Sequence, residues 1–146
     1  MSQCYPNVRL IPQMTATLMM LLCCACGSKV KLHPASGQVF VAGKPAEGAI
    51  VVLHSLDPST ATAFKPAGKV DADGIFTLST RRQGDGAPAG EYIVTIVWLG
   101  DLSTIDPATG EVPVRLSPHY GDPKTSPLRA SIERGKNEIP AFYLEK

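Results

Sequence analysis

From Ser36 to Glu145 apolar and polar residues alternate in short runs separated by turn-forming residues. A period of two sends successive side chains to opposite faces of a strand. Runs at 36–43, 48–56, 63–71, 74–80, 90–100, 127–135 and 137–145 are rich in β-branched and aromatic residues and bounded by Gly, Pro, Asp or Asn. In 74–80, Phe76 and Leu78 point one way and Thr77 and Ser79 the other, the pattern of a strand with one wet face. In 127–135, Leu128, Ala130 and Ile132 face inward and Arg129, Ser131 and Glu133 outward; in 48–56 the inward set is Ala49, Val51 and Leu53. The run 90–100 is different. Tyr92, Val94, Ile96 and Trp98 make one apolar face and Ile93, Thr95, Val97 and Leu99 a second. Such a strand belongs in the middle of a sheet with its outer face partly covered, and Trp98 is expected in the core. "ADG" at 72–74 and "GKN" at 135–137 predict tight turns between neighbouring strands. No stretch after Pro34 sustains a helical period. The expectation is all-β: a seven-stranded antiparallel β-sandwich over residues 34–146.

Ahead of this body the pattern changes. "MTATLMMLLCCAC" (14–26) is apolar or weakly polar throughout, and Arg9 is the only charge before Lys29. Thirteen residues fall short of the about 20 needed to span a bilayer as a helix. A positive residue, a short apolar stretch and a small residue near its end fit a secretory signal. All four cysteines, Cys4, Cys23, Cys24 and Cys26, lie here, so the body has no disulfide framework. The cluster resembles the lipobox of bacterial lipoproteins, where a cysteine after a small residue becomes the lipidated first residue. Cys26, between Ala25 and Gly27, fits the small-residue rule best; Cys24, with Leu21 three positions earlier, is the alternative. An ordinary cleaved signal or a short core helix would explain the apolar run and leave the cysteines unexplained. The expected layout is a signal peptide with lipobox at 1–26, a linker at 27–33 and the β domain at 34–146. The expected location is the cell envelope, on the membrane through a lipid anchor.

Composition narrows the function classes. Charged residues make up 18% of the 146 and the net charge is +1, which gives no electrostatic case for nucleic acid. His33, His54 and His119 are unpaired at metal-ligand spacing, and Asp71-Ala72-Asp73-Gly74 lacks the distal carboxylate of a calcium loop. No G-x-S-x-G elbow occurs. No metal, cofactor or catalytic residue is expected. The remaining candidate is the connection from Gly100 to Pro127, long for a sandwich and carrying five prolines. Its segment "SPHYGDPKTSP" gathers His119, Tyr120, Asp122 and Lys124. These suit either a polar recognition surface or a cap over the sandwich end with Tyr120 buried.

"SGQVFVAGKPAEGAIVVL", "GKVDADGIFTLST" and "GDGAPAGEYIVTIVW" resemble the carboxypeptidase regulatory-like domain, also called transthyretin-like or prealbumin-like. The likeness runs through Gly37, Gly43, Lys44, Pro45, Gly48, Ala49, Asp73, Gly74, Phe76, Gly90, Glu91 and Tyr92, mostly turn glycines and strand hydrophobics. It implies a seven-stranded sandwich and suggests carbohydrate or protein recognition. The chain lacks the C-terminal Tyr-Arg-Gly-Ser signature of transthyretin-like hydroxyisourate hydrolases and the two-Tyr, two-His iron set of intradiol dioxygenases. The reading is a non-catalytic binding or scaffolding module whose partner is an envelope protein or a carbohydrate. The alternatives are an assembly module without a small ligand and a hydrolase of unrecognised type.

Overall fold

The computed structural model describes residues 30–100, 106–111 and 113–146. The strands among them are β1 (Leu32–His33), β2 (Ala35–Val41), β3 (Lys44–Pro45), β4 (Ile50–Ser55), β5 (Ala67–Lys69), β6 (Ile75–Thr77), β7 (Ala87–Pro88), β8 (Gly90–Val97), β9 (Arg129–Ile132), β10 (Asn137–Glu138) and β11 (Phe142–Leu144). One four-residue helix, α1 (Pro58–Ala61), follows β4, capped by the Asp57 carboxylate on the Ser59 N–H. Among the described residues the fold is all-β apart from α1 and a short 3-10 turn at Pro118–Tyr120. The proposed anchor cysteine Cys26, its alternative Cys24 and the whole 1–26 signal segment lie outside the described residues.

Two sheets share one core. The first runs β5-β4-β8-β9, antiparallel at every step, with Val51 opposite Ile96 and Leu53 opposite Val94. The second is organised by β2, which pairs antiparallel with β3 and β6 and parallel with β10 and β11. Val39, Val41, Phe76, Phe142 and Leu144 from the second sheet meet Val51, Leu53, Tyr92, Val94 and Ile96 from the first, all buried. Phe76 and Phe142 stack at 6.5 Å between ring centres. The inward residues expected of 74–80, 127–135 and 48–56 are the ones that pack, Leu128 only in part. The strand read as central is central: β8 lies between β4 and β9, and Thr95 on its outer face is also buried.

Two turns behave differently from the hairpins expected of them. At 71–74 the turn forms: Asp71 Oδ1 accepts the N–H groups of Asp73 and Ile75, and Gly74 N donates to Asp71 O. Its arms then diverge, β5 joining β4 and β6 joining β2, with one bridge left between Ala67 and Ser79. After β9 the chain crosses to the other sheet instead of folding back. Asn137 holds that turn through its side-chain amide to Glu133 and Gly135, and the residues beyond it lie parallel to β2. The antiparallel expectation therefore gives way along one edge of β2. Chain crossing between sheets leaves no local alternation signal, because each strand is still one-sided. Strand pairing also begins earlier than residue 34: Leu32 and His33, read as linker, pair with Pro88 and Ala87.

Candidate functional site

The chain enters at one end of the domain, and a cleft opens at the other. At the first end Tyr92 donates its hydroxyl proton to Pro88 O at 2.7 Å. The hydroxyl thus reaches back to the backbone four residues upstream. Burial pushes its pKa up to about 12. The Asp85 carboxylate accepts N–H groups from Thr80, Arg81 and Arg82. Burial tends to raise its pKa, and the donated N–H groups outweigh that and lower it. His33, buried, accepts the Gly135 N–H at Nδ1.

At the opposite end β8 leaves its ladder at Val97, the last residue paired with β4. Trp98 lies one residue beyond, half-buried against the core rather than inside it, which corrects the expectation of a core tryptophan. Its indole N–H donates to Glu47 O at 2.9 Å, which fixes the ring. The chain then returns on itself: Leu99 bridges Val114, Gly100 N donates to Pro113 O, and Arg115 N donates to Trp98 O at 2.7 Å. Gly100 is needed at that approach, since a Cβ there would lie 2.7 Å from Pro113 O. The pairing sets the Arg115 guanidinium over the indole, 5.6 Å from its centre.

The result is a cleft of about 810 Å³ lined by Trp98, Val114, Arg115, Leu116, Ser117, Pro118 and Lys146. The lining side chains include two cations, a hydroxyl and an indole, and no carboxylate. Arg115 also borders a second depression of about 590 Å³ with Glu47, Lys69 and Asp71. A smaller recess of about 280 Å³ adjoins the cleft, lined by Ile96, Val97, Leu116, Gly121 and Asp122 among others.

The residues expected to form a recognition loop lie in and just after the 3-10 turn at Pro118–Tyr120. Tyr120 is half-buried against the core, with the His119 ring 3.8 Å from its own. His119 is exposed and its Nδ1 meets Ser117 Oγ at 2.8 Å. Asp122 accepts the Lys124 N–H, so part of that carboxylate is committed to the turn, and Lys124 is exposed. Ser126 anchors the segment through its hydroxyl on Val94 O. Tyr120 thus takes the position of a cap, and only Asp122 borders a recess beside the cleft.

Arg115 was not legible as a site residue from composition. The signal available was "VPVRL" (112–116), where apolar and polar residues alternate again after a loop and predict a returning strand. Elsewhere, His54 bonds Thr95 Oγ1 at 2.9 Å, its pKa lowered by burial first and by Lys65 second. No group of three His, Cys, Asp or Glu side chains among the described residues is placed to hold a metal.

No family model matches the chain, and no curated relative matches it in sequence. Two solved structures are similar at 13% identity. One is a 9R-lipoxygenase from Cyanothece PCC8801, over 78% of this chain at a TM-score of 0.40; this chain spans 16% of the lipoxygenase. The other is a proposed carbohydrate binding protein from Pseudomonas aeruginosa, over 84% of this chain and 93% of its own, at a TM-score of 0.42. Likenesses at this level assign neither activity nor ligand.

Proposed function

We propose that this chain is an exported lipoprotein, acylated at Cys26, that displays a non-catalytic binding domain of the transthyretin-like, seven-stranded sandwich type. Seven strands have three residues or more (β2, β4, β5, β6, β8, β9 and β11) and the remaining four have two. That count supports the sandwich type. The observation that carries the binding role is the cleft built on Trp98 and Arg115.

Its chemistry favours one class of ligand. An indole held by a hydrogen bond offers a rigid apolar surface at little entropic cost on binding. Arg115 and Lys146 beside it attract a carboxylate, and Arg pairs with one in a bidentate manner. Ser117 adds a hydroxyl partner. A sugar carrying a carboxylate, with an apolar face and a ring of hydroxyls, satisfies all three. The ligand proposed is an acidic saccharide of the envelope or its surroundings.

Two measurements test the two halves. Cys26→Ser should move the protein from the membrane fraction to the soluble one; release by Cys24→Ser instead would shift the anchor by two residues. The full chain should be retained on an immobilised uronic-acid polysaccharide and pass through a neutral glucan. Equal passage through both would reject the ligand class.

A further inference from the structure

Among the described residues one glycine answers to neither of the usual reasons for a glycine. Eight of them have positive φ. At Gly37, Gly68 and Gly100 a Cβ would stand within 3 Å of a neighbouring atom. Gly121 closes the 3-10 turn with φ of −87°, a backbone that any L-residue adopts. A Cβ there would lie 3.3 Å from Val97 Cγ2 and 3.4 Å from Pro118 O, pressing on Val97 without a backbone collision. Gly121, Val97 and Pro118 all line the recess of about 280 Å³ beside the cleft. The missing side chain keeps that space open.

The recess differs in chemistry from the cleft. Its apolar walls are Ile96, Val97, Val114, Leu116 and Pro118, and its one charged residue is Asp122. The cleft carries Arg115 and Lys146 instead. Val114, Leu116, Ser117 and Pro118 border both, so one wall joins them.

We propose that the recess takes the acetyl group of an acetylated acidic saccharide whose carboxylate lies on Arg115. The proposal rests on the acidic-saccharide reading and names a substituent which that reading leaves open. Charge sets the direction of the ligand: Arg115 and Lys146 attract its carboxylate, and Asp122 repels it, so an uncharged part enters the recess. A bare sugar ring would bring hydroxyls against apolar walls, where an unpaired hydroxyl is costly. A methyl group there only leaves water. The space is several times the about 30 Å³ that a water occupies in the liquid, ample for a group of three heavy atoms. Ser117 stands at the shared border, its Oγ 2.8 Å from His119 Nδ1. A hydroxyl donates and accepts, so Ser117 suits the carbonyl of an O-acetyl group and the amide of an N-acetyl group alike.

The test titrates the full chain with two matched pairs of oligosaccharides and follows the emission of Trp98, the chain's single tryptophan. The first pair is an O-acetylated uronic-acid oligosaccharide and the same material after mild alkaline de-O-acetylation. The second alternates glucuronic acid with N-acetylglucosamine or with its N-formyl counterpart, which lacks only the methyl. Burial of one methyl group corresponds to about four-fold in affinity at 25 °C. Wild type should therefore bind the acetylated member of one pair about four-fold more tightly, and the pair that responds identifies the linkage. Gly121→Val should remove that preference and leave the affinity for the unacetylated member unchanged. Gly121→Ala should reduce the preference, and it carries the test if melts show that the larger side chain unfolds the turn. Equal affinity within both pairs, or a preference that survives in the folded variant, overturns the subsite. Equal binding that is lost in Arg115→Ala contradicts the subsite alone. No binding of any of the four oligosaccharides contradicts the cleft reading and the subsite with it.

Discussion

Where the chain enters the domain, the loops close on backbone groups: Tyr92 on Pro88, Asp85 on three consecutive amides, His33 on Gly135. At the opposite end the closure stops one residue short, and Trp98 and Arg115 face a cleft. The same strand, β8, serves both ends. Near its start Tyr92 is fully buried; past its last residue paired with β4, Trp98 is half-buried and the chain is met by the returning segment at Val114 and Arg115. A single run of alternating apolar residues thus yields a sealed corner and an exposed aromatic.

Substitutions at the sealed end should cost stability, and substitutions at the open end should cost binding. The largest effect belongs to Gly86. It has φ of +85° and its missing Cβ would collide with His33 O, so Gly86→Ala should destabilise by more than about 3 kcal/mol in a denaturant melt. A near-neutral result would mean that the β1 segment is not fixed there.

Tyr92→Phe comes next. It leaves Pro88 O without its donor in a buried site, an expected loss of about 1–3 kcal/mol. Its pH signature is specific. The tyrosine pKa rises from 10.0 to about 12 on folding, so the neutral hydroxyl is favoured by the native state. That contribution is complete below pH 10 and is lost as pH climbs toward 12. Wild type should therefore weaken across this range more than Tyr92→Phe does.

Asp85→Ala removes the acceptor for three N–H groups that water can partly replace, at about 1–2 kcal/mol. Here the sign is reversed. The folded pKa is lowered, so the contribution is present above the ordinary value of 3.8 and fades as pH falls through the folded one. The gap between wild type and variant should close in acid; a gap that persisted would exclude the ionised carboxylate as its source.

The inward and outward residues of most strands were legible because each strand buries one face, and period two records that directly. Phe76 against Thr77 and Ala130 against Arg129 are examples. The pairing partners were not legible. The arms of the Asp71–Gly74 turn part because β6 joins β2, and that choice depends on contacts far away in sequence. The parallel edge of β2 was hidden for the same reason. For the site, Trp98 was visible as a large apolar residue, but its half-exposure beyond the last β4-paired residue is not recorded by the alternation. Arg115 becomes a site residue only through the bridge between Leu99 and Val114. His119, Tyr120, Asp122 and Lys124 were legible as a cluster of chemistry-bearing residues, but not that Tyr120 would pack against the core while His119, Asp122 and Lys124 stay exposed.

At the open end the expected stability effects are small. Trp98→Ala should cost less than the about 3–5 kcal/mol typical of a fully buried aromatic, since the ring is only half covered. Arg115→Ala, exposed, should stay within about 0.5 kcal/mol of wild type. Arg115→Ala is therefore the cleanest probe of the cleft. The decisive measurement follows Trp98 emission while the full chain is titrated with a uronic-acid oligosaccharide. A saturable change in wild type that vanishes in Arg115→Ala, with the melting temperature unchanged, is the result expected of a binding cleft. An unresponsive indole, or the same titration curve in both proteins, would contradict it.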